Sequence, residues 1–191
     1  MEFELNKERY VFKVVLCGDG FVGKTTLRRR YLGEGFDTSY LETIGADFAI
    51  KDLDIEQKSI KFQIWDLAGQ PRYAMVRPWY YKSALAGIIV FDISMPSSFK
   101  NLPSWINELW KHNGSGKIPF IIIGNKNDLR GETAEEVPEK LITDYIKKLN
   151  EALLEQGFEV SYIETSAKTG ENVGTAFETM AEQYFAYLKN Q

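Results

Sequence analysis

Apolar residues follow two different periods along this chain, and segments of the two kinds alternate. Short runs of β-branched and aromatic residues, at 10–16 and 119–124, are typical of strands buried on both faces of a sheet. Apolar residues recurring every three or four positions, at 141–153 and 173–188, predict core-facing helices, and the apolar run 158–163 predicts a strand between them. Strands that alternate with helices predict an α/β fold with a doubly wound sheet.

The middle of the chain adds strands of another kind. Residues 48–50 begin one strand and residues 60–65 alternate as the next, so the two are predicted to pair as a hairpin across 56–58. We therefore expect a mostly parallel six-stranded sheet with one antiparallel edge strand and helices on both faces. The segment 97–111 predicts a helix in which Pro103 marks a kink or the true start.

Composition limits the class of protein. A chain of 191 residues with 44% hydrophobic content suits one α/β domain, which we take as residues 1–191 and expect to be a monomer. The net charge of −4 argues against a nucleic-acid-binding surface. The single cysteine and single histidine exclude a disulfide framework, a zinc cluster and Cys–His chemistry, and we expect Cys17 to be packed rather than reactive.

Both ends of the chain bear on location. No apolar window approaches the length of a membrane span, and the N-terminus lacks the core of a signal peptide, so we expect a cytoplasmic protein. Glu2 in place of glycine excludes N-myristoylation, and residues 187–191 contain no cysteine for prenylation. We therefore expect no intrinsic membrane anchor in this sequence.

One motif between the first strand and the first helix predicts a phosphate-binding loop. It matches G-x-x-x-x-G-K-[ST], in which glycines let the backbone N–H groups close around a polyphosphate. The lysine can reach the β- and γ-phosphates and the threonine hydroxyl can ligate Mg²⁺, while the helix N-terminus adds its positive end. The predicted binding residues are Gly18, Asp19, Gly20, Phe21, Val22, Gly23, Lys24, Thr25 and Thr26.

Two irregular segments, 33–45 and 67–78, are long loops of the kind that usually carry function. At the start of the second, Asp66 ends an apolar strand and can hold Mg²⁺ through water, while the Gly69 N–H can meet the γ-phosphate. The amide of Gln70 can both accept from and donate to a water molecule, which suits it to orient the attacking nucleophile.

The segment 125–128 follows a buried strand and predicts which base is bound. The two carboxylate oxygens of Asp128 can accept the paired N–H donors of guanine, which adenine does not offer at those positions. After the last strand, residues 165–168 are expected to place backbone N–H groups and a lysine stem against the same base. The predicted base-binding residues are Asn125, Lys126, Asp128, Ser166, Ala167 and Lys168.

With these motifs assembled in order, the chain resembles the small GTPases of the Ras superfamily, and among them the Rab group, over nearly its whole length. The resemblance implies a P-loop G domain that binds GTP and GDP with Mg²⁺, hydrolyses GTP slowly and acts in signalling and vesicle trafficking. The segments that carry it are 18–25 (GDGFVGKT), 43–48 (TIGADF), 65–70 (WDLAGQ), 80–81 (YY), 125–128 (NKND) and 164–168 (ETSAK).

The resemblance also implies roles for individual residues. Thr43 closes on Mg²⁺ and the γ-phosphate, Phe36 packs against the base, and the two irregular segments are switch I and switch II. In this comparison Gln70, Lys24 and Thr43 are the catalytic residues, and Thr25, Thr43 and Asp66 hold the metal. The resemblance further implies effectors that bind the switches and an aromatic triad, together with an exchange factor and a GTPase-activating protein. The triad is Phe48, Trp65 and Tyr80, for which ordinary core packing is the alternative.

The chain departs from the Rab pattern at several positions. Leu67 replaces the usual threonine, and the C-terminal lipidated cysteines are absent, so an unlipidated small GTPase of another group fits as well. The arginines at 28–30 are interpreted as a solvated face, with an acidic lipid or partner as the alternative. We expect Arg72 and Arg77 to be exposed and to meet partners rather than the γ-phosphate.

Pro71 stands where most relatives carry an acidic residue. It favours an extended backbone at Gln70, either holding the amide over the γ-phosphate or keeping it away, and we expect the latter. The leading interpretation is thus a slow GTP-hydrolysing switch. A constitutive guanine-nucleotide-binding module is the alternative, and a P-loop ATPase or nucleotide kinase is disfavoured by Asp128.

Overall fold

A six-stranded sheet runs through the centre of the molecule in the computed structural model, which describes residues 9–35, 42–55 and 58–189. Along the sheet the strand order is β2-β3-β1-β4-β5-β6. The strands are β1 (Arg9–Cys17), β2 (Ala46–Ile55), β3 (Lys58–Leu67), β4 (Ala86–Asp92), β5 (Phe120–Asn125) and β6 (Tyr162–Thr165). The helices are α1 (Lys24–Tyr31), α2 (Arg77–Tyr81), α3 (Pro96–Lys100), α4 (Leu102–His112), α5 (Glu139–Leu153) and α6 (Val173–Lys189).

The strand pairing confirms the predicted fold. β1 pairs in parallel with β3 and β4, and β5 pairs in parallel with β4 and β6. β2 pairs with β3 in the antiparallel sense and forms one edge of the sheet. Every residue of β4 and β5 is buried, because helices cover both faces at these central strands.

Two hydrophobic clusters fill the space between the sheet and its helices. Successive residues of β1 point to opposite faces, so that Val14 lies in one cluster and Val15 in the other. Helices α1 and α6 complete the first cluster, while α2, α3, α4 and α5 complete the second. The helix that begins at the predicted phosphate loop is therefore packed directly against the sheet and the C-terminal helix.

Several predicted boundaries were wrong. The antiparallel register continues to Ile55 and Lys58, so Lys58 belongs to β3 rather than to the turn. The segment 97–111 forms two helices rather than one, and Pro103 lies in the first turn of the second, α4, which confirms the alternative that it marks a helix start. The last strand is β6 at 162–165 rather than 158–163, because that segment enters the sheet only where its backbone pairs with β5.

Two residues of the predicted apolar stripes also face outward. Leu141 and Leu188 are exposed, although both recur at helical spacing with buried neighbours such as Ile142 and Phe185. Helical spacing therefore assigns more residues to the apolar stripe than actually pack against the rest of the protein. Within the described residues, no helix is both long and apolar enough to cross a membrane.

Phe177 should be one of the residues on which the stability of this layer depends. It is fully buried in α6 and stacks on Tyr31 of α1, with ring centroids 4.1 Å apart. We expect Phe177→Ala to lower the free energy of unfolding by about 3–5 kcal/mol, measured by urea denaturation at a fixed GDP concentration. The control Leu188→Ala removes an exposed side chain from the same helix and should change it by less than about 0.5 kcal/mol. Equal effects would contradict the packing described.

Candidate functional site

A cavity of about 390 Å³ opens at the carboxyl ends of the parallel strands. Segments that follow β1, β3, β5 and β6 all contribute to its walls, as expected for a doubly wound sheet. The lining includes Gly20, Phe21, Gly23, Lys24, Thr25, Thr26, Thr43, Gly69, Gln70, Asn125, Lys126, Asp128, Ala167 and Lys168. Residues predicted from separate motifs therefore share one cavity. Phe36 lies outside the described residues.

The phosphate loop turns tightly between β1 and α1. Gly23 precedes the first residue of α1 at φ 95°, and a Cβ there would lie 2.3 Å from Nδ2 of Asn125. Val22 is fully buried beneath the loop and anchors it. The loop thus approaches the base-binding segment so closely that only glycine fits at position 23.

Lys24 is a buried cation inside this loop. Its Nζ donates to the carbonyls of Gly18 at 2.8 Å and Asp19 at 2.7 Å. Burial lowers the pKa of Lys24, and the nearby carboxylate of Asp66 acts in the opposite direction. An anionic ligand in the cavity would favour the charged form, which suits Lys24 to contact phosphate.

Two loop residues behave in ways that the motif did not predict. Phe21 has a left-handed backbone at φ 69°, which is strained for a bulky residue, and its largely exposed ring lines the cavity. The carboxylate of Asp19 is held by α4, accepting from Trp105 Nε1 at 2.7 Å and Asn101 Nδ2 at 2.8 Å. Asp19 therefore ties the loop to a neighbouring helix.

Three oxygen-bearing side chains meet beside Lys24. Thr25 Oγ1 donates to Asp66 Oδ2 at 2.5 Å and lies 2.8 Å from Thr43 Oγ1, and Thr43 Oγ1 donates to the same carboxylate oxygen at 3.4 Å. The other oxygen, Oδ1 of Asp66, is buried and has no hydrogen-bond partner. Burial raises the pKa of Asp66, opposed by Lys24 and the two hydroxyls.

This donor set fits Mg²⁺, which prefers oxygen ligands and is held by one or two carboxylates together with water and phosphate. A cation there would satisfy the unpartnered oxygen of Asp66 and favour its ionised form. Among the described residues, no three His, Cys, Asp or Glu side chains come together. The hydroxyls of Thr25 and Thr43 are the oxygen donors that lie beside Asp66.

The segment after β3 presses on the phosphate loop. A Cβ on Gly69 would lie 2.3 Å from the carbonyl oxygen of Gly18, so this contact requires glycine. Gln70 is extended, at φ −72° and ψ 145°, as predicted for a residue before proline. Its Cγ is 3.4 Å from the position of a Cβ on Gly20, and its Oε1 is buried without a partner. The side chain of Gln70 therefore lies in the cavity beside Gly20, and the expected effect of Pro71 on its approach to the γ-phosphate stays a prediction.

At the other end of the cavity, Asn125 joins the phosphate loop to the base-binding segments. Its Nδ2 donates to Val22 O at 2.8 Å, and its Oδ1 accepts from Thr165 Oγ1 at 3.1 Å and the N–H of Ala167 at 3.2 Å. The N–H of Ala167 therefore bonds Asn125 in this structure. Asn125 is nearly completely buried, so it acts as a bridge between loops.

Asp128 and Lys126 are oriented by neighbours. Ser166 Oγ donates to Asp128 Oδ1 at 2.6 Å, and Lys168 Nζ lies 3.7 Å from the other oxygen, Oδ2. Lys126 Nζ forms an ion pair with Asp92 at 2.6 Å. Asp92 was not among the predicted site residues, and its only signal in the sequence is its position at the end of a buried strand.

The arginines of α1 are not a simple solvated face. Arg28 is buried and pairs with Asp47 at 2.5 Å. Arg30 donates from Nε to Ala167 O at 3.1 Å and from Nη2 to Lys168 O, so it supports the base-binding loop. These partners lie far away along the chain and left no local signal in the sequence.

The predicted aromatic triad is contiguous. Phe48 and Trp65 are cross-strand partners with ring centroids 5.2 Å apart, and Tyr80 lies 6.1 Å from Trp65. Phe48 is exposed, whereas Trp65 and Tyr80 are half-buried and pack on the second hydrophobic cluster. The triad is therefore part surface and part core.

The two arginines of the second loop differ from each other. Arg72 is exposed, as predicted, and its guanidinium pairs with Glu42. Arg77, expected to be exposed, is only 5% exposed because it is enclosed by Glu108, Trp105 and backbone carbonyls.

Comparison with known proteins gives a consistent assignment. A profile of the Ras family matches residues 13–186. Ras-related protein Rab-8B of Homo sapiens is 36% identical over 184 residues, covering 95% of this chain and 82% of its own. Ras-related protein RABA4b of Arabidopsis thaliana is 40% identical over 179 residues, covering 94% and 75%. Ras-related protein Rab-13 of Bos taurus is 38% identical over 172 residues, covering 90% and 79%.

The single cysteine offers a test of whether the end of β1, next to the phosphate loop, is closed to solvent. Cys17 is fully buried at the end of β1, and burial raises the pKa of its thiol to about 12 from an ordinary 9.0. At pH 8 the thiolate fraction should be on the order of 10⁻⁴, and a disulfide reagent should label Cys17 only after urea is added.

The same shift predicts a pH dependence. Because the folded-state pKa is the higher one, the neutral thiol stabilises the fold fully below pH 9.0, and this contribution is lost as the pH rises toward about 12. Rapid labelling of the folded protein at pH 8, with the reaction monitored by absorbance, would contradict the burial of Cys17.

Proposed function

Because this chain belongs to the Ras family, and is therefore a GTPase, we propose that it works as a guanine-nucleotide switch that recruits effectors when GTP is bound. One observation carries the proposal. The cavity holds a phosphate loop, an oxygen-ligand cluster and Gln70 at one end, and Asp128 at the other. These are the groups that a guanosine triphosphate needs along its length. We further take residues 1–191 as a single G domain.

Ras-family GTPases in general use GTP, GDP and Mg²⁺. In this chain Thr25, Thr43 and Asp66 would hold the ion, which when bound neutralises charge on the β- and γ-phosphates. Lys24 binds the same phosphates and stabilises the charge that develops during transfer. The backbone N–H groups from Gly18 to Thr26 complete the cradle around the phosphates.

Gln70 is the residue that orients water. Its side chain lies over Gly20, where the loop would hold phosphate, and its buried carbonyl oxygen lacks a donor. A water molecule can donate to that oxygen and be held in line with the leaving group. Arg72 and Arg77 are already engaged by Glu42 and Glu108, so a GTPase-activating partner supplies the additional positive charge.

Release of the γ-phosphate changes the contacts of Thr43 and Gly69, the two residues that join the switch segments to the nucleotide. Effectors bind the ordered switches together with Phe48, Trp65 and Tyr80, whose contiguous rings are partly exposed. An exchange factor opens the same segments to release GDP.

Guanine recognition should depend on Asp128. We expect Asp128→Asn to weaken GTP binding by roughly 10²-fold, because the amide turns an N–H toward the guanine N–H donors and leaves them unpaired. The same change should improve binding of xanthosine triphosphate, which presents an acceptor there. Titration calorimetry measures both affinities. Asp144→Asn makes the same change on the exposed face of α5 and should alter neither. Unchanged GTP affinity in Asp128→Asn would refute the assignment.

The switch itself predicts a nucleotide-dependent change in backbone protection. Hydrogen exchange should slow in residues 43–45 and 68–76 when GDP is replaced by a non-hydrolysable GTP analogue, because the γ-phosphate adds contacts to Thr43 and Gly69. The buried strand β5 is the internal control and should exchange equally in both states. Equal exchange everywhere would instead indicate the constitutive guanine-nucleotide-binding module.

A further inference from the structure

Arg77 begins α2 inside switch II, yet its side chain is enclosed. Its Nη1 donates to the carbonyl of Gln70 at 3.1 Å and to that of Ala68 at 3.3 Å. These two carbonyls flank Gly69, the residue that presses on the phosphate loop. One guanidinium group therefore holds the backbone on both sides of Gly69, where switch II contacts the phosphate loop.

The other side of the same guanidinium is fixed by α4. Nε and Nη2 of Arg77 donate to the two carboxylate oxygens of Glu108 at 2.6 and 3.0 Å, and its Cζ lies 4.6 Å from the centroid of the Trp105 ring. The planar fork of arginine satisfies the carboxylate and the carbonyls at once, which the single ammonium of lysine cannot do.

The same stretch of α4 also holds the phosphate loop. Trp105 and the preceding Asn101 donate to the two carboxylate oxygens of Asp19, which lies next to Gly20 in the chain. Trp105 and Glu108 are three residues apart on one face of α4, and Asn101 is the residue that immediately precedes the helix. These three residues, which we call the α4 anchor, therefore connect the phosphate loop to switch II, the segment that carries Gln70.

We propose that Arg77 is a positioning residue for GTP hydrolysis, which holds Gln70 over Gly20 by clamping its backbone to the α4 anchor; this inference rests on the proposed role of Gln70. Pro71 favours the extended backbone at Gln70 but does not fix where the segment sits relative to the phosphate loop. The clamp supplies that second constraint. Reaction rates depend steeply on such placement, since an error of about 1 Å can cost on the order of 10²-fold.

The variants must separate positioning from folding. Arg77→Met alone leaves the Glu108 carboxylate unpaired in a largely buried position. The double variant Arg77→Met with Glu108→Leu removes both charges and so keeps the fold while removing the clamp. Arg77→Lys retains the charge without the fork. Arg72→Met is the matched control, because it removes an exposed arginine from the same segment whose partner is Glu42.

The assay is single-turnover GTP hydrolysis by the purified full chain at saturating Mg²⁺, with GDP dissociation measured on the same samples. We expect the Arg77→Met, Glu108→Leu variant to hydrolyse GTP on the order of tenfold more slowly, while GDP dissociation changes less than about twofold. Arg77→Lys should fall between this variant and the parent. Arg72→Met should match the parent in both measurements.

A second cycle tests whether Arg77 acts through Gln70. In a Gln70→Leu background the same clamp substitutions should have no further effect on the rate, because the group they position is gone. The clamp would be overturned if the Arg77→Met, Glu108→Leu substitutions slowed hydrolysis equally with Gln70 present and with Gln70→Leu. It would also be overturned if these substitutions left the rate unchanged while Gln70→Leu alone lowered it. An unchanged rate in Gln70→Leu itself would instead refute the role of Gln70, and with it this inference.

Discussion

The parallel pairing of the central strands is the constraint on which the site depends. Because β1, β3, β5 and β6 all run in the same direction, their carboxyl ends reach one edge of the sheet, and the polar segment after each strand enters one cavity. Residues separated by more than a hundred positions, such as Val22 and Asn125, are then close enough to share a hydrogen bond. Helices on both faces support this arrangement and bury β4 and β5 completely.

The chemistry at that edge of the sheet depends on buried charged groups whose interactions within the protein are incomplete. Lys24 and Asp66 are both almost fully buried, and burial disfavours the charged form of each, lowering one pKa and raising the other. Each partly compensates the other, but an oxygen of Asp66 still lacks a partner. A bound phosphate–metal complex would supply the missing interactions, so nucleotide binding and folding stability should be coupled.

Helix α4 gives the catalytic end a second support. It bonds the phosphate loop through Asp19 and switch II through Arg77, the two segments whose separation sets the position of Gln70 in our proposal. Glycine makes that distance short, since any side chain at position 69 would collide with the loop backbone. Arg77 thus keeps the backbone on both sides of Gly69 attached to α4.

The sequence by itself determined the fold class, the strand and helix order and the identity of most cavity residues. Local patterns are sufficient for these features, because a phosphate loop needs its glycines and lysine in consecutive positions and a buried strand needs an apolar run. The sequence also predicted the extended backbone of Gln70, because the proline that follows it directly restricts its conformation.

Only the tertiary structure decided the partners of the long polar side chains. Arg77 and Arg28 are buried, Arg30 supports the base-binding loop and Asp92 pairs with Lys126, because helices and loops distant in sequence bring the complementary groups to them. The division of the segment 97–111 into α3 and α4 and the short final strand likewise follow from packing and backbone pairing. Burial of a charged side chain depends on what surrounds it in space, and a linear pattern does not contain that information.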